Sequence, residues 1–218
     1  MSFDGMWREL AGIGRDAGSG GYRRFAWTSA DAQLREWFTA SASARGLDVL
    51  TDRAGNLWAW WGDPDAQGPG LVLGSHLDSV PGGGAYDGPL GVVSAFAALD
   101  LLQDNAFKPT VPVAVACFGD EEGARFGIAC GGSRLLTGAL DPDRARALTD
   151  DSGTTLAEAA GRAGIDVDHL GRDDEALRRV GRFVELHVEQ GRSLVHSGHA
   201  VGVGSAVWAH GRWRVDLA

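Results

Sequence analysis

Cysteine is scarce, with only Cys117 and Cys130 in 218 residues. Two thiols cannot build a four-cysteine zinc site or a disulfide framework, so they read as free thiols in a reducing cytoplasm. Lysine is scarcer still: Lys108 is the only one among 20 basic residues. Against 29 acidic residues the net charge is −9, which disfavours a nucleic-acid or anionic-membrane surface. No apolar run approaches the ~18 residues that span a bilayer. Residues Met1 to Leu10 carry charges and lack an apolar core, so they do not read as a signal peptide. No Gly-x-Ser-x-Gly occurs, which disfavours that class of serine hydrolase. No Gly-x-x-x-x-Gly-Lys occurs either, and the Gly-rich loop 82–91 follows a His-bearing loop rather than linking strand to helix, which disfavours a nucleotide binder.

What remains is an ordinary globular composition, 44% hydrophobic and 22% charged. The length suits one good-sized domain, or one domain and the start of another, with a core that needs no staples. Helical spacing of Leu34, Trp37 and Phe38 predicts a helix over 29–44, capped by Ser29 or Asp31. Two β-prone runs, 47–50 and 57–61, flank Asp52-Arg53-Ala54-Gly55-Asn56 and predict a hairpin. Strands are predicted at 71–75, 111–118 and 183–188, with a helix over 91–102 and a short one around Ser193-Leu194-Val195. Pro112 fits best near the start of its strand. Residues 139–180 are polar and helix-prone, and 200–207 and 212–217 read as two last strands. The alternation of strands and helices argues for an α/β fold with a central sheet flanked by helices.

Three of the strands end in the same chemistry. Leu71-Val72-Leu73 runs into His76-Leu77-Asp78, with Asp87 following in a Gly-rich loop. The 111–118 strand runs into Asp120-Glu121-Glu122, and the third into His187-Val188-Glu189-Gln190. Ligands bind at the C-terminal ends of strands in open α/β sheets. Asp78 could take the His76 N–H that a metal leaves free. Asp87 could bridge two cations ~3.5–4 Å apart. Of the adjacent acids, one could ligate while its neighbour serves as general base. Gln190 offers both a donor and an acceptor, as an amide or ureido group requires. Each motif alone has a plainer reading: a structural strand-end histidine, a turn aspartate, a solvated acidic loop, a surface glutamine. His169, His196, His199 and His210 sit in polar contexts and read as solvent-facing.

Taken in order, the motifs resemble the M20 metallopeptidase superfamily. Gly74-Ser75-His76-Leu77-Asp78-Ser79-Val80-Pro81 with Tyr86-Asp87-Gly88 is similar to its first metal motif. Asp120 to Phe126 and Glu185 to Gly191 are similar to the second and third. The last two point to the branch of N-carbamoyl-L-amino-acid hydrolases and allantoate amidohydrolases, over roughly residues 4 to 218. The resemblance implies a zinc-peptidase-like catalytic domain with a mixed sheet, of which this is the N-terminal part: residues 1–208, with 209–218 beginning a lid domain. It implies two divalent cations (zinc, manganese, cobalt or nickel), or one or none in this chain. His76 and His187 would hold one cation, Glu122 the other, and Asp87 would bridge them. Glu121 would act as general acid/base on a water between the cations, Asp78 would orient His76, and Gln190 would contact the substrate. The reaction implied is hydrolysis of a carbamoyl or ureido C–N bond in a small molecule by a cytoplasmic homodimer. The alternative is a catalytically inactive remnant or interaction module with the same fold. A cis bond between Asp87 and Gly88 is also implied.

Overall fold

The hairpin forms as its turn chemistry predicts. The computed structural model, which describes residues 2–206, pairs β1 (Asp48–Thr51) antiparallel with β2 (Leu57–Trp61). Ahead of it lie α1 (Phe3–Leu10) and α2 (Ser29–Ser43). The cap of α2 is Thr28, neither the expected Ser29 nor Asp31: its hydroxyl accepts from the Asp31 amide, and the Asp31 carboxylate accepts from the Trp27 amide at 3.0 Å. Thr28 has the extended backbone a cap needs, which Ser29 gives up by joining the helix.

The short helix α3 (Pro64–Gln67) leads to β3 (Gly70–His76), then α4 (Pro89–Asp104) and β4 (Val113–Phe118). Pro112 stands just before β4, where its missing N–H costs nothing, and its carbonyl accepts from the Leu71 amide at 2.9 Å. The connection after β4 carries α5 (Gly131–Thr137), α6 (Pro142–Ala147), α7 (Leu156–Arg162), a 3₁₀ turn over Val167–His169 and α8 (Asp174–Arg178). β5 (Val180–Val184) closes the sheet, whose order is β1-β2-β4-β3-β5. β2 and β4 pair antiparallel; β3 pairs parallel with both β4 and β5. The sheet is therefore mixed, as the resemblance implies.

Both faces of the sheet are covered, so β4 is buried from Val113 to Cys117 and reads as a continuous apolar run. On one face Leu57, Ala59, Val113, Val115 and Cys117 pack with Leu34, Phe38, Val92, Phe96 and Leu99 of α2 and α4. On the other, Trp58, Trp60, Ala114 and Ala116 pack with Leu136 and Ala176. The alternation of neighbouring residues between faces is the two-residue period of a strand. Arg45, just past α2, grips Asp100 of α4 with two hydrogen bonds of 2.7 and 2.6 Å.

β5 differs from expectation. It starts three residues earlier than predicted and stops at Val184, and its apolar residues are not buried: Phe183 and Val184 are 42% and 54% exposed. Among the described residues it lies at the edge of the sheet, with β3 as its one paired neighbour.

The chain divides into two units, Met1–Val188 and Glu189–Ala218. In the second, α9 (Ser193–Ser197) forms as predicted, and the Glu189 carboxylate accepts from the amides of Ser193 and Leu194 at 2.7 and 3.0 Å. Residues 201–206 form no strand, contrary to the apolar spacing there. The predicted strand at 212–217, the proposed lid boundary at 209 and His210 lie outside the described residues.

Candidate metal centre

β3 delivers His76 at its C-terminal end, 1% exposed. Its Nδ1 lies 3.3 Å from Asp78 Oδ1 and 3.1 Å from the Asp78 carbonyl. Asp78 is buried too, and its two carboxylate oxygens accept from the amides of Glu121 and Glu122 at 3.2 and 3.0 Å. One carboxylate thus orients the imidazole and clamps the turn after β4. With Nδ1–H directed at Asp78, the other ring nitrogen is left for the site.

That nitrogen, Nε2, is buried without a hydrogen-bond partner. It stands 3.7 Å from Glu121 Oε2 and 3.8 Å from Asp87 Oδ1. Asp87 Oδ1 is also 3.2 Å from His187 Nε2. His187 turns its Nδ1 to the Val188 carbonyl at 2.8 Å, so its Nε2 likewise faces the cluster. The two rings lie 6.3 Å apart. The donor atoms form two sets, each within 4.8 Å: His76, Asp87 and His187; and His76, Glu121 and Glu122. The structure therefore brings together every residue expected to ligate, but His76 is common to both sets, and Glu121 sits beside Glu122 as a potential ligand.

The electrostatics call for positive charge. Burial of the His76 ring opposes its protonation, yet the hydrogen bond and charge of Asp78, with the charges of Glu121 and Glu122, push its pKa up to about 9. Burial raises the Glu122 carboxyl, and the neighbouring Asp87 charge adds to this. A buried, unpartnered imidazole nitrogen facing several carboxylates suits a divalent cation: the residues present fit one.

The turn that carries Glu121 and Glu122 is held on two sides. Its start is gripped by buried Asn56, whose Oδ1 accepts from the Gly119 amide at 2.9 Å. Asn56 is itself fixed by Asp52, which accepts from its amide and side chain at 2.9 and 2.8 Å. The far side meets the start of α5: Gly131 and Gly132 donate to the Asp120 and Gly119 carbonyls at 2.8 and 2.9 Å. Asp120 and Cys130 take left-handed backbone, at φ +49° and +58°, which these contacts hold in place.

Two features escape sequence reasoning. Burial, with the charges of Asp78 and Asp31, pushes Asp120 up to about 8. The half-buried Cys130, one of two free thiols, donates from Sγ to Glu121 Oε1 at 3.4 Å. Burial and the Glu121 charge push that thiol up to about 11, so it stays neutral. No local pattern signals a cysteine nine residues away folding back on an acid.

Among the described residues no peptide bond is cis, so the expected cis Asp87–Gly88 bond is not found. The loop turns instead at Gly88, with φ +86°, where a side chain would meet the His76 ring at 2.6 Å. His169, His196 and His199 are exposed, as read. Gln190 belongs to the second unit.

Comparison with known proteins finds relatives along most of the chain. The family model described as Peptidase family M20/M25/M40 matches residues 72–216. The chain is 37% identical over 195 residues to an N-carbamoyl-L-amino acid amidohydrolase of Geobacillus stearothermophilus, covering 89% of this chain and 47% of that protein. It is 30% identical over 208 residues to an allantoate amidohydrolase of Escherichia coli, covering 95% and 50%. A crystal structure of a hydantoinase/carbamoylase family amidase from Burkholderia ambifaria superposes with a TM-score of 0.78 at 35% identity, over 91% of this chain and 48% of that one. The chain spans about half the length of the curated relatives it matches. With its motifs at three strand ends and this likeness along most of its length, the chain belongs to peptidase family M20/M25/M40.

Proposed function

We propose that this chain carries the metal-binding catalytic region of an amidohydrolase that cleaves a carbamoyl or ureido C–N bond in a small molecule. The observation that carries the reading is the buried, unpartnered His76 Nε2, set among Asp87, Glu121 and Glu122 with a second imidazole beyond. The amidohydrolase names of the relatives support the substrate class. Both donor sets include His76, whose Nε2 can serve one cation; a second would fall to Glu122 with Asp87 between them, and imidazole–carboxylate ligands suit zinc, manganese, cobalt or nickel. When bound, a divalent cation supplies Lewis-acid polarisation of the scissile carbonyl and acidifies water.

The chain's own residues do the rest. His76, Asp87, His187 and Glu122 hold the cations, and Asp78 keeps the His76 proton on Nδ1. Glu121 takes a proton from the attacking water and returns it to the departing nitrogen. The neutral Cys130 thiol supports the carboxylate without competing for that proton. Gln190 is assigned to substrate contact by its donor–acceptor pair. Residues 1–208 are assigned to the catalytic domain and 209–218 to the start of a lid. The homodimer and the cytoplasmic location stay part of this reading; the two free thiols suit a reducing compartment.

The test is metal analysis together with ammonia release from N-carbamoyl amino acids and allantoate. Glu121→Gln is expected to keep cation content and lose at least ~100-fold in turnover, the scale of general-base catalysis. Glu122→Gln is expected to lose cation from one set. Equal cation loss in both variants, with no separate effect on rate, would overturn the division of roles. Cation binding without ammonia release in the parent would favour the inactive reading.

A further inference from the structure

The β3–β5 ladder stops short of the site. Its last pair is Leu73 with Val184, and His76 and His187 each stand three residues beyond that pair. His76 is enclosed, but the His187 side chain is 41% exposed. Its contact with the neighbouring Val188 carbonyl moves with it and anchors nothing. An arm without ladder bonds, carrying a ligand that needs sub-ångström placement, requires another tether.

Ser75 supplies one. Its side chain is buried beside His76, and its hydroxyl donates to Glu185 Oε1 at 2.5 Å. A buried hydroxyl needs a partner, and a carboxylate is a strong one. The first turn of α4 closes over this contact. A Cβ at Gly91 would meet the Ser75 Cβ at 2.6 Å and the Leu186 carbonyl oxygen at 2.7 Å, so only a glycine lets the helix press the arm this closely. Asp87, just before α4, faces His187 at 3.2 Å.

We propose that the Ser75–Glu185 hydrogen bond is the positioning contact that holds His187 against Asp87 and His76. Its purpose rests on the cation-binding reading above; its geometry does not. Neither residue touches the reacting atoms: both act through His187.

The experiment compares Ser75→Ala, Glu185→Ala and Glu185→Gln in the whole protein. Glu185→Gln keeps a carbonyl oxygen for the Ser75 hydroxyl and is the conservative rescue. Glu185 is exposed, so its variants fold even where Ser75→Ala does not. Two readouts are taken. Imidazole C–H resonances in metal-free protein, assigned with His187→Asn, report the order of His187 directly. Zinc titration calorimetry reports affinity. Ser75→Ala and Glu185→Ala are expected to broaden or shift the His187 resonance, and Glu185→Ala, remote from His76, to leave the His76 resonance in place. They are expected to weaken zinc binding about 10–100-fold, the usual cost of losing support behind a ligand. Glu185→Gln is expected to stay near the parent in both. Unchanged His187 resonances in both alanine variants would overturn the proposal. A parent that binds no zinc, with His187 still loosened by Glu185→Ala, would support the contact and refute the cation reading instead.

Discussion

Asp78 is the place to break the site without touching a ligand. Its carboxylate accepts from two backbone amides, those of Glu121 and Glu122, and faces the His76 ring. Asp78→Ala removes the acceptor of both amides in a part-buried turn. Leaving a buried donor unsatisfied costs about 1–3 kcal/mol, so two cost roughly 2–6 kcal/mol. One term opposes this: removing a charge relieves repulsion with Asp120, Asp31 and Glu122. The expected net loss is therefore in the lower half, about 2–4 kcal/mol, or a fall of about 4–16 °C in Tm for a chain of this size. The measurement is calorimetric melting of metal-free protein, alongside zinc titration. The histidine loses the partner that fixes its tautomer, so affinity should fall about 10–100-fold. A metal-free Tm within about 1 °C of the parent would refute the claim that Asp78 clamps the turn. A weakened affinity alone would then leave it only an electrostatic role.

Three other outcomes are expected. Gly88→Ala forces a side chain onto positive φ and against the His76 ring at 2.6 Å; it should cost about 1–3 kcal/mol in urea denaturation and lower zinc affinity with it. An unchanged denaturation midpoint would show that the loop relaxes freely. Asp100→Asn leaves the Arg45 guanidinium, whose side chain is 4% exposed, without its charged partner. That should cost about 2–4 kcal/mol, less than for a fully buried pair because Asp100 is partly open; a loss under about 0.5 kcal/mol would mark it as a surface-type bridge. Asp150 is held down to about 2, chiefly by the Ser152 hydroxyl and then by Arg125, so its contribution is present above the ordinary carboxylate range and is lost as pH falls through about 2. A carboxyl NMR titration midpoint near 4 would contradict it.

The buried strands were the legible part of the fold. β3 and β4 are covered on both faces, so their apolar runs stand out, and the hairpin is marked by its turn residues. β5 misled because apolar residues such as Phe183 read alike in a central strand and at an exposed edge; which one a run becomes depends on neighbours far away in sequence. The α2 cap is not legible because Thr28, Ser29 and Asp31 are all capable caps, and only backbone conformation separates them. In the site, residue types at strand ends singled out His76, the Glu121–Glu122 pair and His187, with Asp87 in the loop after the first, and their side chains do lie together; which glutamate ligates is not legible from residue type. The sharing of His76 between donor sets was not legible, since it depends on how far the 119–123 turn folds back over β3. The Cys130–Glu121 and Ser75–Glu185 contacts were hidden for the same reason.

The order of the strands along the chain also sets the order in which they are synthesised. Strands β1 to β4 all arise from residues 48–118, and the turn with Glu121 and Glu122 follows at once. A nascent chain can therefore assemble most of the acidic cluster, with His76 inside it, while its later part is still being made. β5 comes from Val180–Val184 and must find the free edge of β3 across more than sixty intervening residues after β4, in a parallel pairing that forms slowly. His187 arrives only with it. The centre is born as a nest of negative charge around one imidazole, and waits for its second.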